Sequence, residues 1–84
     1  MFCSQMHRRA WHNRAMKRGA VLFSLNMAAR ETRDGTRGDK ATGKTASWQG
    51  NTLMQRWRDE DREAGRMGQV EYLRRRFALG FDAI

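Results

Sequence analysis

The chain has 84 residues, 39% of them hydrophobic and 31% charged, which excludes more than one small domain and any sheet large enough for a typical nucleotide-hydrolysing fold. Six methionines contribute to the apolar fraction, so we expect a modest core that depends on a partner or on self-association. The net charge of +8, with fourteen arginines and three lysines among the bases, favours a polyanionic partner and, among polyanions, nucleic acid.

Residues 1–30 carry six bases and no acid, which gives them the largest excess of positive charge in the chain. Arginine and histidine fall on every side of a helical wheel over residues 4–18. This part is therefore expected either to be a helix surrounded by polyanion or solvent, or to be disordered without a partner. We predict a basic N-terminal arm. Its candidate nucleic-acid contacts are Arg8, Arg9, Trp11, Arg14, Lys17 and Arg18.

Residues 20–29 form an apolar segment inside this arm. The segment is apolar almost all round, which favours a buried helix over the alternative of a short central strand. Its ten residues are half of what a transmembrane helix needs, so no membrane span is expected. The acid-free, arginine-rich leader also resembles a mitochondrial presequence, and the segment from Met16 resembles a weak signal peptide. A mitochondrial or a secreted protein that loses these residues on maturation is therefore an alternative.

Cys3 is the only cysteine, which excludes an internal disulfide and favours a reducing intracellular compartment, either cytoplasmic or virion-associated. Cys3, His7 and His12 have the spacing C-x3-H-x4-H with no evident fourth ligand. A helix would also place the two histidines on different faces. We therefore expect no metal site and no cofactor.

Residues 31–50 contain four glycines, four threonines and almost no apolar residue before Trp48, which predicts a flexible linker. Within this segment the letters GDKATGKT fit the phosphate-loop pattern G-x-x-x-x-G-K-[ST]. A phosphate loop follows a hydrophobic strand and opens a helix, whereas the residues before this match are charged and Gly50 soon follows it. The resemblance to P-loop nucleotide-binding proteins is kept as an alternative, on Gly38, Gly43, Lys44 and Thr45.

Residues 51–84 are predicted to form a module of two to three helices. Thr52 and Gln55 make a capping-box pattern directly before apolar residues at helical spacing, which predicts a helix over about 52–65. Trp57 lies on the apolar side of this helix, where packing in a core is its commoner role.

A second helix is predicted over residues 69–79. Val70, Leu73 and Phe77 recur at i, i+3 and i+7, which is the spacing of one helical face. Gly80 supplies the expected stop. Candidate nucleic-acid contacts in this helix are Arg74, Arg75 and Arg76.

The sequence thus predicts a mainly α fold made of a basic arm, a Gly/Thr-rich linker and a small helical module that a partner stabilises. We expect a non-enzymatic component of a larger assembly, such as a ribonucleoprotein or a virion. Its arm would contact nucleic acid and its C-terminal helices would contact protein subunits. An enzymatic function is not expected, because no nucleophile and base are placed to form a catalytic pair. The alternative is a small protein-binding regulator or inhibitor. Candidate partner-binding residues are Trp48, Trp57 and Phe77.

Overall fold

The computed structural model of the protein describes residues 5–81, and this part of the chain contains three α-helices and no strand. Helix α1 spans Gln5–Glu31, α2 spans Lys40–Glu63 and α3 spans Gln69–Ala78. Together they account for 79% of the described residues, which confirms the mainly α class. The chain divides into two compact units, one ending at Leu53 and the other beginning at Met54.

Helix α1 runs for 27 residues without interruption, so residues 20–29 are helix and not strand. One side of α1 carries its packed residues, namely the buried Trp11 and the half-buried Leu22, Leu25 and Ala29. The opposite side exposes large apolar residues of the segment that was expected to be buried, among them Phe23 and Met27. Helix α1 is therefore packed on one side only.

The end of α1 is organised by Thr32, whose side chain is buried. Its hydroxyl donates to the Ala28 carbonyl at 2.8 Å and accepts the Gly35 N–H at 3.2 Å. Its carbonyl accepts the N–H groups of Thr36 at 2.8 Å and Arg37 at 2.9 Å. Because a single residue satisfies so many backbone groups, the turn after α1 has a defined conformation.

Helix α2 begins at Lys40, because Asp39 caps its first turn. The Asp39 carboxylate accepts the Thr42 N–H at 3.1 Å and the Thr42 hydroxyl at 2.8 Å. An aspartate in this position satisfies a donor that the helix itself leaves without a partner. The structure therefore differs from the predicted linker over residues 31–50 and from the predicted helix start at residue 52.

Glycines inside the first half of α2 allow it to pack closely against the end of α1. A Cβ atom on Gly43 would overlap the Thr32 hydroxyl and lie 2.6 Å from the Thr32 Cβ. A Cβ atom on Gly50, two turns later, would lie 3.3 Å from Oδ1 of Asn26. Gly43, Ala46 and Gly50 are all buried, so this small-residue face of α2 lies antiparallel to the last turns of α1.

The C-terminal ends of α2 and α3 are each closed by a glycine in the left-handed region. At the end of α2, Gly65 has φ 70°, and the Arg66 N–H donates to the Asp61 carbonyl at 2.8 Å. At the end of α3, Gly80 has φ 84°, and the Phe81 N–H donates to the Arg76 carbonyl at 3.1 Å. These are Schellman caps. They account for the close agreement between the predicted helix over 69–79 and α3.

Candidate nucleic-acid interface

The exposed bases of α1 form the candidate interface. Arg8, Arg9 and Lys17 are exposed, as is Arg30 near the end of the helix. No acid occurs between residues 5 and 30, so no carboxylate on this helix neutralises them before Glu31. An exposed guanidinium or ammonium group can meet a phosphate without first losing a partner of its own.

Two of the predicted contacts, Arg14 and Arg18, lie on the packed side of α1. They follow Trp11 at i+3 and i+7, which places all three side chains on one face. Both arginines are half-buried, and both take part in an interaction within the protein. Binding of phosphate by either residue would therefore compete with an interaction that it already makes.

Trp11 differs most from its predicted role as a contact for nucleic acid. Its side chain is only 6% exposed, which makes it one of the two buried hydrophobic residues among those described, with Ala46. A ring buried to this extent cannot stack on a base unless the helix moves. The structure therefore places Trp11 in the core. The exposed tryptophan is Trp48, at 67%.

The three arginines of α3 have three different environments. Arg75 donates to the Glu71 carboxylate at 2.8 Å, and Arg74 lies 3.9 Å from the same carboxylate. Arg76 stacks over the Phe81 ring, with its guanidinium carbon 4.7 Å from the ring centre. One carboxylate thus partly offsets two cations. Of the two arginines that contact Glu71, Arg74 has the more exposed side chain.

The predicted partner-binding residues separate into exposed and packed positions. Phe77 is 54% exposed and lies on one face of α3 with Val70 and Leu73, both of which are also exposed. Trp57 is half-buried on the same side of α2 as the buried Asp61, four residues later. Trp57 is therefore a packing residue in this structure, whereas Phe77 on α3 and Trp48 on α2 are exposed.

The residues of the phosphate-loop match do not form a loop. Gly38 precedes the capped start of α2, whereas Gly43, Lys44 and Thr45 lie inside the helix. The N–H of Gly43 already donates to the Asp39 carbonyl at 3.0 Å, and the Thr45 hydroxyl donates to the Ala41 carbonyl at 3.1 Å. Backbone donors that a phosphate loop would turn toward its ligand are used within the helix.

The hydrogen bonds from Thr42 hold the pKa of Asp39 below its ordinary value of 3.8. The hydroxyl donor is the larger cause and the backbone N–H is the second. The carboxylate at the start of α2 is therefore ionised over the whole neutral range. This negative charge lies next to Lys40. The turn between α1 and α2 is therefore less attractive to phosphate than residues 5–30 of α1, which contain no acid.

Sequence reasoning missed the roles of Thr32, Asp39 and Gly43. The signals were present, because Asp39 precedes Thr42 by three residues in a capping arrangement. The small residues Gly43, Ala46 and Gly50 also recur at i, i+3 and i+7, which is the spacing of a single helical face. Read together, these two patterns indicate a capped helix with one face made of small residues.

No three His, Cys, Asp or Glu side chains among residues 5–81 are grouped as a metal site would require, and Cys3 lies outside the described residues. No helix in the same range has the length and apolar character that a bilayer crossing requires. Comparison with protein-family models, curated proteins and solved structures finds no match to this chain.

Proposed function

We propose that the protein is a non-enzymatic, basic component of a larger assembly that binds nucleic acid along α1. The observation that carries this proposal is the acid-free run of α1 with Arg8, Arg9 and Lys17 exposed on it. A helix of 27 residues is about 40 Å long, so these bases and Arg30 can meet phosphates along much of its length. The binding is expected to be electrostatic and without sequence preference.

A direct test is binding of labelled duplex and single-stranded oligonucleotides, followed by fluorescence anisotropy between about 50 mM and 200 mM salt. Each phosphate that is neutralised releases a counterion, so log K is expected to fall linearly with log salt. Four contacts predict a slope of roughly −3 to −4 on duplex. The absence of binding at the lowest salt would end the proposal.

A second candidate function, binding of a protein subunit, is favoured by the apolar face of α3. Val70, Leu73 and Phe77 recur at helical spacing, and Val70 is 83% exposed. A face of this kind, with Arg74 exposed beside it, fits an apolar helix of a partner that carries acids at its edge. This face supports the alternative of a protein-binding regulator as well as an assembly component.

Site-specific photocrosslinking tests this second candidate. A photoreactive residue at position 77 is expected to capture one protein species reproducibly. The matched control carries the same group at position 78, which is exposed on another side of α3. If the apolar face of α3 binds the partner, Leu73→Asp should abolish the crosslinked product from position 77. Equal yields of crosslinked product from positions 77 and 78 would contradict binding by that face.

A further inference from the structure

Trp48 is an isolated aromatic residue on a polar side of α2. Its side chain is 67% exposed, although Gly43, Ala46 and Gly50 on another side of the same helix are buried. The residues one turn away from it on either side are Lys44, Thr45, Asn51 and Thr52, all of them polar. Packing within the described chain therefore does not explain a tryptophan at this position.

Two exposed lysines lie on the same side of α2 as Trp48. Lys40 and Lys44 precede it by eight and four residues, so the three side chains follow one another on successive turns. Neighbours in this row are about 6 Å apart along the helix axis. That rise is close to the distance between successive phosphates on one strand of an extended nucleic acid.

The charge around this row favours an anion. The sequence contains no acid from Lys40 to Arg58. Two carboxylates lie beside the row, since Asp39 caps α2 through Thr42 and Asp34 accepts the Ser47 hydroxyl at 3.1 Å. Hydrogen bonds to neutral donors leave their charge in place, so Asp39 partly offsets Lys40, and Lys44, one turn from the ring, is the cation that contributes most. A ring beside two cations without intervening acids is a combination typical of proteins that bind single strands.

We infer that the row of Lys40, Lys44 and Trp48 is a stacking site for single-stranded nucleic acid, in which the ring takes one base and the lysines take neighbouring phosphates. This inference rests on the proposed function and names the form of the ligand. The faces of bases in a duplex are covered by their neighbours, so Trp48 adds affinity only where a base is unstacked. If Trp48 instead binds protein, substituting it should not change the affinity for single-stranded nucleic acid.

The test compares three ligands of equal length, namely single-stranded oligo(dT), the same oligomer with abasic sites throughout, and a duplex. The abasic oligomer keeps the phosphates and removes the bases. Trp48→Leu keeps apolar bulk without an aromatic face, and Trp48→Phe keeps a ring. Because Trp48 is exposed, both variants are expected to retain the helical circular dichroism of the wild type.

Trp48→Leu is expected to weaken oligo(dT) binding by at least about fivefold, with smaller losses for Trp48→Phe. Binding of the abasic oligomer and of the duplex should change by less than about twofold. Quenching of tryptophan fluorescence by oligo(dT) should also fall sharply in Trp48→Phe, since the two tryptophans that remain are the buried Trp11 and the half-buried Trp57.

Two results overturn the inference while leaving nucleic-acid binding by α1 intact. One is unchanged oligo(dT) affinity in Trp48→Leu, and the other is an equal loss for all three ligands. If the wild type binds none of the three at low salt, the proposed function fails together with this inference. The two failures are thus distinguished by whether the duplex is bound.

Discussion

At the residue scale, identical amino acids in this chain have opposite roles, and the neighbouring atoms decide which. Gly43 and Gly19 both lie inside helices. A Cβ atom on Gly43 would overlap Thr32, whereas a Cβ atom on Gly19 would meet nothing within 4 Å. The glycine that first suggests a phosphate loop is therefore required for packing between α2 and the end of α1.

Alanine at these two positions should change stability in opposite directions. Gly19→Ala removes a flexible residue from an open helical position and is expected to raise the free energy of unfolding by about 0.5–1 kcal/mol. Gly43→Ala gains the same helical preference but forces Thr32 away, so a net loss of roughly 1–2 kcal/mol is expected. Urea unfolding followed by circular dichroism measures both. Stabilisation by Gly43→Ala would contradict the close packing.

The hydroxyl of Thr32 should matter more than that of another helical threonine. Thr32→Val keeps the shape but removes the hydroxyl that accepts the Gly35 N–H, which then keeps only its 3.2 Å bond to the Thr32 carbonyl, and a loss of about 1 kcal/mol is expected. Thr45→Val is the control, since its hydroxyl also donates to a helix carbonyl but is exposed. Its effect should stay within about 0.5 kcal/mol. Equal effects in urea unfolding would show that Thr32 does not organise the turn.

At the scale of the element, the sequence predicted those helix ends that depend on local hydrogen bonds and missed the one that depends on packing. The end of α3 and the break after α2 were predictable because Gly65 and Gly80 act through bonds to residues within the preceding turn. The start of α2 was missed because Gly43 and Gly50 weaken a helix taken alone. Contact with α1 offsets that cost. The cap and the spacing of the small residues are visible in the sequence, but neither pattern identifies α1 as the element that packs there.

The cap of α2 should make stability depend on acid pH through Asp39. Its pKa in the folded protein lies below the ordinary value of 3.8, so its contribution is complete above that value and is lost as the pH falls through the folded pKa. Asp39→Ala should therefore be less stable than the wild type near about pH 5, with the difference shrinking toward about pH 2.

Asp39→Asn is the matched control for this pH dependence. Asparagine keeps the capping oxygen without a titrating carboxyl, so its stability should lack the step that the wild type shows. Thermal unfolding at several pH values measures all three proteins. A difference between the wild type and Asp39→Ala that stays constant down to the lowest pH would contradict the cap.

At the scale of the whole molecule, the described residues bury little and expose much. Trp11 and Ala46 are the buried hydrophobic residues among them, and no side chain in the described range is fully buried. Trp11 could not be assigned to the core from sequence, because arginines flank it and its face of α1 also carries Arg14 and Arg18. The run of bases in the sequence was enough to predict residues 1–30 as a candidate nucleic-acid interface, while the sorting of those bases into exposed and packed positions required the structure.

A chain with so small a core should gain measurable stability from its proposed ligand. Nucleic acid at about 100 times its Kd is expected to add roughly 2.7 kcal/mol to the free energy of unfolding. The accompanying rise in Tm should disappear at high salt, because the proposed binding is electrostatic. Polyglutamate of similar charge is the control for acidic protein. A larger rise in Tm with polyglutamate than with nucleic acid would favour the protein-binding alternative.

The central claim, that α1 is the nucleic-acid surface, is tested most directly by comparing two triple variants of equal charge. The first replaces Arg8, Arg9 and Lys17 with glutamine, and the second replaces Arg56, Arg58 and Arg62, which lie near acids in α2. Both lower the net charge by three. Each phosphate contact contributes about 0.9 to the slope of log K against log salt on duplex, so the first variant should lower its magnitude by roughly 2 to 3. The second should lower it by less than about 1. Equal slopes for the two variants would show that net charge, and not α1, determines binding.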